Sequence, residues 1–345
     1  MNPTPETAAP LRLVPQLRIV VNSRCGRACV YCRPSGEGLS TAPSAQLSRE
    51  FVLRVVRAFA DLGGKDVKLT GGDPALWEPL VETVRAIKGV KGIESVHVIS
   101  RHPKIGGLAS ALAEAGADLL NMSIDTLRPA IHHAITGVDD LPLVLGALEK
   151  CLASGIPCKV NTVVLKGVND REIEDLIGYC ERAGVASLKL LDVIHDLEDG
   201  EESYKKRLRV FGGSLRDLYV PLSQYVDLLR PQAARIRTST QGHLGHPMTV
   251  LTLGSGLEVV VKDYAAGAWY GSICSGCKHY PCHDALMALR LTADGRFQPC
   301  LLNEAAAREI LTPEAACDDQ AMEQFLHSML SVYSSATFHS TVSVS

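Results

Sequence analysis

The chain has 345 residues, a length that suits one barrel-sized domain with a smaller extension. Its net charge of −3, without basic runs interleaved with aromatic residues, argues against a nucleic-acid polymer as partner and favours a small substrate. Residues 1–10 show no signal-peptide pattern, and no uninterrupted apolar stretch approaches membrane length. We therefore expect a cytoplasmic protein that has no membrane partner.

Short apolar strands alternate with helical patterns up to about residue 193, which predicts parallel β/α units. The predicted strands are Leu17–Asn22, Asp66–Thr70, Ser95–Ile99, Leu119–Ile124, Lys159–Val164 and Ser187–Val193. The predicted helices cover residues 48–62, 78–88, 107–115, 142–154 and 170–182. The predicted fold class is therefore α/β, a partial (β/α)6 TIM-like barrel with a C-terminal extension.

The C-terminal part has a different pattern. Residues 194–215 are highly charged, which favours a solvated loop. A helix is predicted near 221–234, followed by a hairpin of Met248–Leu253 and Leu257–Lys262. We place the domain boundary at the charged segment, with residues 1–215 as the barrel and 216–345 as a C-terminal domain.

Three cysteines, Cys25, Cys29 and Cys32, follow the first predicted strand with the spacing C-x3-C-x2-C. This spacing can place three thiolates on a 4Fe–4S cluster and leave one iron open. An open iron can chelate S-adenosylmethionine (SAM) and pass one electron to its sulfonium, which releases a 5′-deoxyadenosyl radical. A structural zinc site would favour four ligands. The motif is interpreted as the radical SAM signature, and an external electron donor such as flavodoxin is expected.

Further polar residues fall at the carboxyl ends of the other predicted strands, where barrels of this kind keep their active sites. Gly71 and Gly72 can bring bare backbone close to the charged groups of methionine. The residues at these strand ends are Gly71, Gly72, Asp73, Ser100 and Ser123, and Asn161 lies within the fifth predicted strand. The position of the Gly-Gly-Asp-Pro turn next to the cysteine loop favours a functional interpretation over an ordinary turn.

A second group of cysteines lies near the C-terminus. Cys274, Cys277, Cys282 and Cys300 have the spacing C-x2-C-x4-C-x17-C, which suits either zinc or a second iron–sulfur cluster. Seven of the eleven cysteines thus lie in two groups with metal-ligand spacing, as expected in a reducing compartment.

Five segments resemble, in chain order, the radical SAM GTP 3′,8-cyclases of molybdenum-cofactor biosynthesis, the MoaA family. They are Leu17 to Cys32, Lys68 to Pro74, Asn121 to Leu127, Lys159 to Asp170 and Leu289 to Gly295. The match spans roughly residues 11–305. It implies a SAM-binding 4Fe–4S cluster in the barrel and an auxiliary 4Fe–4S cluster in the C-terminal domain, with the substrate between them.

The resemblance also implies roles for individual residues. The backbone near Tyr31 would contact the adenine of SAM, and Gly72 and Asp73 would contact its methionine amine. Ser100 and Ser123 would approach the ribose and the carboxylate end of SAM. Asn161 resembles a family residue that makes a further contact with SAM. The cations that would surround the substrate are Arg18, Lys68, Lys159, Lys189 and Arg290. Interior cations are costly without a counter-charge, so their presence also favours an anionic substrate on physical grounds.

Two departures from the family pattern concern the second cysteine group. The cyclases have C-x2-C-x13-C, so that one iron is free for the guanine, whereas here an insertion adds Cys282. A fourth thiolate can close that iron. Ala288 also stands where the family has another arginine.

These patterns lead to one main hypothesis and three alternatives. The main hypothesis is a radical SAM enzyme, a lyase or a related type, that abstracts hydrogen from the sugar part of a small anionic nucleotide- or nucleoside-like metabolite. Decarboxylation, as in cytosylglucuronate decarboxylase, epimerisation and cyclisation all fit it. The alternatives are GTP 3′,8-cyclase, a peptide-modifying radical SAM enzyme and a metal scaffold that no longer cleaves SAM.

Overall fold

The computed structural model describes residues 11, 13–32, 45–194, 211, 213–241, 244–262, 267–282, 284–310 and 318–339. Its first half consists of alternating strands and helices. The strands are β1 (Gln16–Val20), β2 (Asp66–Thr70), β3 (Ser95–Ser100), β4 (Leu119–Ser123), β5 (Cys158–Val163) and β6 (Ser187–Leu191). The helices are α1 (Arg49–Asp61), α2 (Leu80–Lys88), α3 (Ile105–Glu114), α4 (Pro129–Thr136), α5 (Leu141–Ala153) and α6 (Ile173–Ala183).

The predicted barrel strands are confirmed, since β1 to β6 lie side by side in chain order and are all parallel. The sheet is a curled, open half-barrel. Helix α1 shows why the periodicity was informative: Val52, Val55, Val56 and Phe59 are fully buried against the sheet. The Ser48 hydroxyl caps this helix by accepting the backbone N–H of Phe51 at 3.2 Å.

The C-terminal half adds a helix, several strands and a closing helix. The elements are α7 (Ser223–Leu229), β7 (Ala233–Gln241), β8 (Leu244–Leu253), β9 (Glu258–Lys262), β10 (Ala268–Tyr270), β11 (Ala288–Leu291), β12 (Arg296–Gln298), β13 (Arg308–Glu309), α8 (Asp319–Ser334) and β14 (Thr337–His339). The predicted hairpin is confirmed as β8 and β9, which pair antiparallel. The predicted helix over 221–234 was too long, because Pro231 cannot continue a helical hydrogen-bond ladder and β7 begins at Ala233.

Two C-terminal strands join the barrel sheet itself. Strand β9 pairs parallel with β6, and β11 pairs parallel with β1. The full order is β13-β12-β11-β1-β2-β3-β4-β5-β6-β9-β8-β7, so the six predicted parallel strands gain a parallel neighbour on each side. The predicted domain boundary at residue 215 does not coincide with a break in this sheet, and the division into two domains stays a prediction. The charged segment falls mostly outside the described residues.

Side chains alternate along the strands between an apolar outer face and a polar inner face. In β1, Leu17 and Ile19 are fully buried in the hydrophobic core under the helices, while Arg18 between them points to the other side. The same alternation places Lys68, Asn121, Lys159 and Lys189 inside the curve of the sheet. The half-barrel therefore encloses a polar interior. No described helix is long and apolar enough to cross a membrane.

Candidate active site

The loop that carries the first three cysteines, residues 23–32, follows β1 and is held by α4. The backbone N–H groups of Ala28 and Val30 donate to the carbonyls of Thr136 and Ile135 at 2.9 and 3.0 Å. The Arg27 guanidinium is ion-paired with Asp140. The sequence did not predict α4, a short helix that begins at a proline. Backbone pairing with α4 and the ion pair of Arg27 with Asp140 thus position the cysteine loop.

The three thiols of the cysteine loop suit a metal cluster in their chemistry. None of them is in a disulfide, and the N–H of Cys32 donates to the carbonyl of Cys29 at 3.0 Å, which makes a tight turn between two of them. Burial, followed by the charges of Asp73 and Cys29, raises the pKa of the Cys25 thiol to about 11. Iron binding would therefore displace a proton from this group. In the described part of the chain, no three Cys, His, Asp or Glu side chains converge as a closed set of metal ligands.

The two glycines after β2 are required by their close contact with the cysteine loop. A Cβ atom on Gly72 would lie 2.3 Å from the carbonyl oxygen of Arg24, and one on Gly71 would lie 2.7 Å from Oδ1 of Asn22. The N–H of Gly72 donates to the Asn22 carbonyl at 2.7 Å. Only glycine lets the two backbones approach this closely. The structure thus gives these residues a packing role next to their predicted contact with SAM.

Asp73 connects the ends of β2 and β3. Its Oδ1 accepts the N–H of Ala75 at 3.0 Å and the hydroxyl of Ser100 at 2.7 Å. Its Oδ2 accepts the N–H groups of Arg101 and His102 at 2.8 and 2.9 Å. With four donors the buried carboxylate is well satisfied. Asp73 and Ser100 thus bond to each other at the strand ends, beneath the cysteine loop.

A second buried network joins Tyr31 to Asp125 and Arg101, which were not predicted as site residues. Asp125, at the end of β4, accepts the Tyr31 hydroxyl at 2.6 Å and is paired with Arg101 at 2.7 Å. Its other oxygen accepts the N–H of Val163 at 2.9 Å. The guanidinium of Arg101 also donates to the Tyr31 hydroxyl and lies 5.8 Å from the centre of its ring. The position of Arg101 and Asp125 directly after strands was the available signal.

The inner face of the half-barrel surrounds a central cavity of about 330 Å³. Tyr31 and Cys32 line it at the cysteine loop, and Asp284, Met287 and Leu301 line it on the side of the C-terminal strands. The cavity therefore runs from the first cysteine group towards Cys300, which lies next to Leu301. A small molecule in this space would contact both parts of the chain.

The wall of the central cavity is rich in positive charge. All the predicted substrate-binding cations line it, together with Lys262, which the sequence analysis missed; the set is Arg18, Lys68, Lys159, Lys189, Lys262 and Arg290. Register explains part of this, because Arg18 lies opposite Lys68 in β2 and opposite Arg290 in β11. Lys262 was missed since only the pairing of β9 with β6 brings it to the barrel. We refer to these six residues as the cation set.

The cavity perturbs the ionisation of its basic groups. Burial, followed by Lys159 and Lys68, holds the pKa of Lys189 well below its usual value. Burial also lowers the pKa of Lys159 to about 8. The pKa of His97 falls to about 4, mainly through burial and next through Lys68, so its imidazole is neutral at pH 7. The site is therefore poised to gain positive charge when an anion is bound.

Two other predicted SAM contacts, Ser123 and Asn161, lie opposite each other in the register of β4 and β5. Asn161 lines the cavity, and its buried Oδ1 has no hydrogen-bond partner within the described residues. A buried acceptor without a partner is costly, so a donor from a bound molecule would fit this position.

The second cysteine group forms two pairs. The N–H of Cys277 donates to the carbonyl of Cys274 at 3.1 Å, in a turn. Cys282 and Cys300 are both buried, and burial is the main reason why the pKa of the Cys282 thiol rises to about 12 and that of the Cys300 thiol to about 11. Cys300 is near enough to Cys282 to add to the rise of the Cys282 pKa. The Tyr270 hydroxyl bonds the backbone N–H and carbonyl of Cys282, both at 3.2 Å.

Asp284, two residues after Cys282, lines the cavity. It accepts the Arg290 guanidinium at 2.9 Å and the N–H of Leu301 at 3.1 Å. Both members of the ion pair are almost fully buried. The insertion that adds Cys282 therefore also contributes a carboxylate to the cavity wall.

A parallel half-barrel whose first strand leads into a loop of three cysteines has the architecture expected of a radical SAM enzyme, and comparisons with known proteins agree. The radical SAM superfamily matches residues 19–180. GTP 3′,8-cyclase of Pelotomaculum thermopropionicum is 32% identical over 294 residues, which cover 84% of this chain and 82% of the relative. GTP 3′,8-cyclase of Limosilactobacillus fermentum is 30% identical over 301 residues, with coverages of 84% and 80%.

The fold is also similar to that of a solved structure, Streptococcus suis SuiB bound to S-adenosylmethionine. The TM-score is 0.58 with 12% identity, covering 93% of this chain and 72% of SuiB. At this identity the likeness concerns the fold alone.

The chain belongs to the radical SAM superfamily, whose enzymes use a 4Fe–4S cluster, SAM, a small substrate and an electron donor. Within the superfamily it is a MoaA-like protein, because the relatives that match most of its length are GTP 3′,8-cyclases. The alternative of a non-catalytic metal scaffold is thereby set aside.

Proposed function

We propose that this enzyme abstracts a hydrogen atom from the sugar part of a small, polyanionic, nucleotide- or nucleoside-like metabolite. The observation that carries the proposal is the cation set, six basic side chains around one cavity that also reaches the cysteine loop. Cations at this density are stable only with a counter-charge, and the carboxylates of the cavity are fewer than its cations. A phosphorylated or carboxylated ligand supplies that charge.

The cluster and SAM, when bound at the cysteine loop, supply the 5′-deoxyadenosyl radical. The residues of this chain would then orient the two ligands towards each other. Cys25, Cys29 and Cys32 would hold the cluster, and Asn161 would receive a donor from SAM. The cation set would fix the anionic end of the substrate, so that its sugar faces the loop. Flavodoxin is the type of electron donor that we propose.

We also propose that Cys274, Cys277, Cys282 and Cys300 hold an auxiliary 4Fe–4S cluster. Four thiols without disulfide partners in one part of the fold support it, together with the place of Cys300 beside the cavity. Four thiolates would leave no open iron for the substrate. Contacts on this side would then come from Asp284 and Arg290, not from iron.

GTP 3′,8-cyclisation is the second candidate, favoured by the similarity to cyclases over more than four-fifths of the chain. The two candidates make opposite predictions for one experiment. The reconstituted enzyme is incubated with GTP, SAM and reductant, and the products are analysed by mass spectrometry. We expect no 3′,8-cyclised nucleotide, because a closed auxiliary cluster cannot bind the guanine.

Formation of the cyclic product would contradict the main proposal and support the cyclase. The proposal is tested positively with substrates deuterated in the sugar, which should transfer deuterium to 5′-deoxyadenosine. The Cys282→Ala variant serves as a second test. Opening one iron should change the spectrum of the auxiliary cluster when small ligands are added, while the spectrum of the SAM cluster stays the same.

A further inference from the structure

Lys189 lies at the centre of the cation set. It is in the middle of β6, with Asn161 of β5 and Val260 of β9 as its neighbours in register, and only 7% of the residue is exposed. It interacts electrostatically with basic groups on four other strands, namely Lys159, Lys68, Lys262 and Arg18. The position of β6 between β5 and β9 thus surrounds one amine with like charges.

The acidic groups of the cavity are engaged with other cations. Asp192 lies 3.7 Å from the Nζ of Lys262, and Asp284 is paired with Arg290 at 2.9 Å. Glu258 does not line the cavity; it is paired with Arg237 at 2.8 Å, and its charge only partly opposes the lowering of the Lys159 pKa. Within the described residues, Lys189 itself has no ion pair with a carboxylate.

The other titratable groups on the cavity wall are His97, Tyr31 and Cys32, of which Cys32 belongs to the cysteine loop. His97 of β3 is neutral at pH 7 for the reasons given above. At the cysteine loop, burial raises the pKa of Tyr31 well above its usual value, so the phenol stays protonated. The field at Lys189 is therefore set by the other members of the cation set.

This field has a consequence for the charge of the amine. Lys189 is buried among like charges and has no carboxylate partner within the described residues, and both effects lower its pKa and make its proton easier to lose in the free enzyme. An anion that enters the cavity reverses the sign of the field and favours the ammonium form. The Nζ atom then gains both a proton and a charge-assisted contact.

We propose that Lys189 takes up a proton from solvent when the anionic part of the substrate binds, so that anion and proton enter the cavity together. The inference rests on the proposed function, since it requires an anionic substrate. The step is a proton transfer to the lone pair of Nζ and breaks no other bond in the protein. With Lys189 protonated, six cations face two carboxylates on the cavity wall, which leaves four positive charges for the ligand to balance. The site therefore suits a ligand with several negative charges, such as a di- or triphosphate.

The pH dependence follows from linkage. Affinity falls as pH rises between the low pKa of Lys189 in the free enzyme and its higher pKa in the complex, by up to about tenfold for each pH unit. Below this window Lys189 is protonated in both states, and above it Lys189 is neutral in both, so the uptake vanishes at either end. Above a pH of about 8, where Lys159 also loses its proton in the free enzyme, the dependence should steepen.

Calorimetry of the reconstituted enzyme tests the inference directly. Inorganic tripolyphosphate and GTP are titrated at pH 7.5 in buffers of different ionisation enthalpy, and the slope gives the number of protons taken up. We expect proton uptake in excess of the uptake by the probe itself. Lys189→Arg, which stays charged at this pH, should bind the probes without that proton. Lys65→Met, an exposed lysine near β2, is the control and should show the wild-type uptake.

Lys189→Met provides a second readout that needs no ligand. In the wild type the folded-state pKa of Lys189 lies below the usual pKa of lysine. Between these two pKa values the unfolded chain binds more protons than the folded chain, so the free energy of unfolding rises with pH, and this gain is lost again as the pH falls to the folded-state value. Lys189→Met removes the cost of burying a charged amine and has no such pH dependence. The gain in free energy of unfolding of the variant over wild type should therefore shrink as pH rises.

The outcomes separate the inference from the proposed function. Tight binding of a probe without extra proton uptake, or equal uptake in Lys189→Arg and wild type, would overturn the inference and leave the anionic substrate standing. Failure of both probes to bind at any pH would contradict the anion-binding function, and the inference with it.

Discussion

The carboxyl ends of the barrel strands and the interior a few residues below them are built in opposite ways. At the strand ends, Asp73 accepts four hydrogen bonds and Asp125 is bonded on both oxygens, so each buried charge has partners from the chain. In the central cavity, Lys159 and Lys189 have no ion pair within the described residues, and their pKa values are depressed by burial. The first region is preorganised without a ligand, whereas the second needs a ligand to balance its charge.

The largest effect on activity is expected when the three cysteines of the loop above the strand ends are removed. With Cys25, Cys29 and Cys32 all replaced by Ala, SAM cleavage should be lost completely. The iron content after anaerobic reconstitution should fall by about half if both cysteine groups hold 4Fe–4S clusters. Iron analysis and formation of 5′-deoxyadenosine measure these effects.

Cys151→Ala is the matched control, because Cys151 is a buried cysteine on α5 outside both groups. It should keep both the iron and the cleavage activity. Zinc in place of iron in the wild type would contradict the two-cluster proposal.

The next largest effect is expected on stability. Asp125→Asn keeps the shape of the side chain but leaves the buried guanidinium of Arg101 without its counter-charge. Breaking a buried ion pair from one side costs about 3–5 kcal/mol, which a shift of the denaturant midpoint should show. Glu82→Gln breaks an exposed pair with Arg85 and should leave the midpoint unchanged. Equal midpoints for the two variants would show that the strand ends depend less on Asp125 than its contacts imply.

Gly72→Ala tests the close contact between the β2 turn and the cysteine loop. The added Cβ would meet backbone at 2.3 Å, so the loop has to move, at a cost of about 1–3 kcal/mol. Lower SAM affinity and lower cluster occupancy should accompany the loss. Gly107→Ala, in α3 with open space around the added atom, should instead stabilise the protein by roughly 0.5–1 kcal/mol. Wild-type SAM affinity in Gly72→Ala would show that the loop tolerates the shift.

The smallest effect is expected in the cavity. Lys159→Ala removes one charge-assisted contact and should weaken the binding of GTP or another anionic probe about tenfold. Lys65→Ala, which removes an exposed lysine, should bind the probe as wild type does. SAM affinity is measured in parallel. An equal loss of SAM and probe binding would mean that Lys159 belongs to the SAM pocket.

Local patterns were sufficient for most of the barrel. Strands β1 to β6 lie within about two residues of their predicted positions, since their apolar outer faces repeat along each segment. Helix α4 was missed because a short stretch with a proline and two histidines has little periodicity. The cations Arg18, Lys68 and Lys159 were predicted from the family resemblance, because they lie at positions where the family has basic residues around its substrate.

Contacts between segments far apart in the chain could not be predicted from local sequence patterns. Lys262 was expected only as the end of a hairpin, and the pairing of β9 with β6 places it opposite Leu191, near enough to Lys189 for their charges to interact. The bond between Asp73 and Ser100, 27 residues apart in the chain, is likewise a product of the sheet.

The sequence by itself determined the class of protein: strand periodicity and the spacing of Cys25, Cys29 and Cys32 are local properties that persist in any arrangement of the segments. Only the tertiary structure decided which charges share a cavity and which carboxylates are already bonded. The reason is physical, because the cost of a buried charge depends on the dielectric and on the groups within a few ångströms. These neighbours come from β1, β2, β5 and β9, which meet only when the sheet curls.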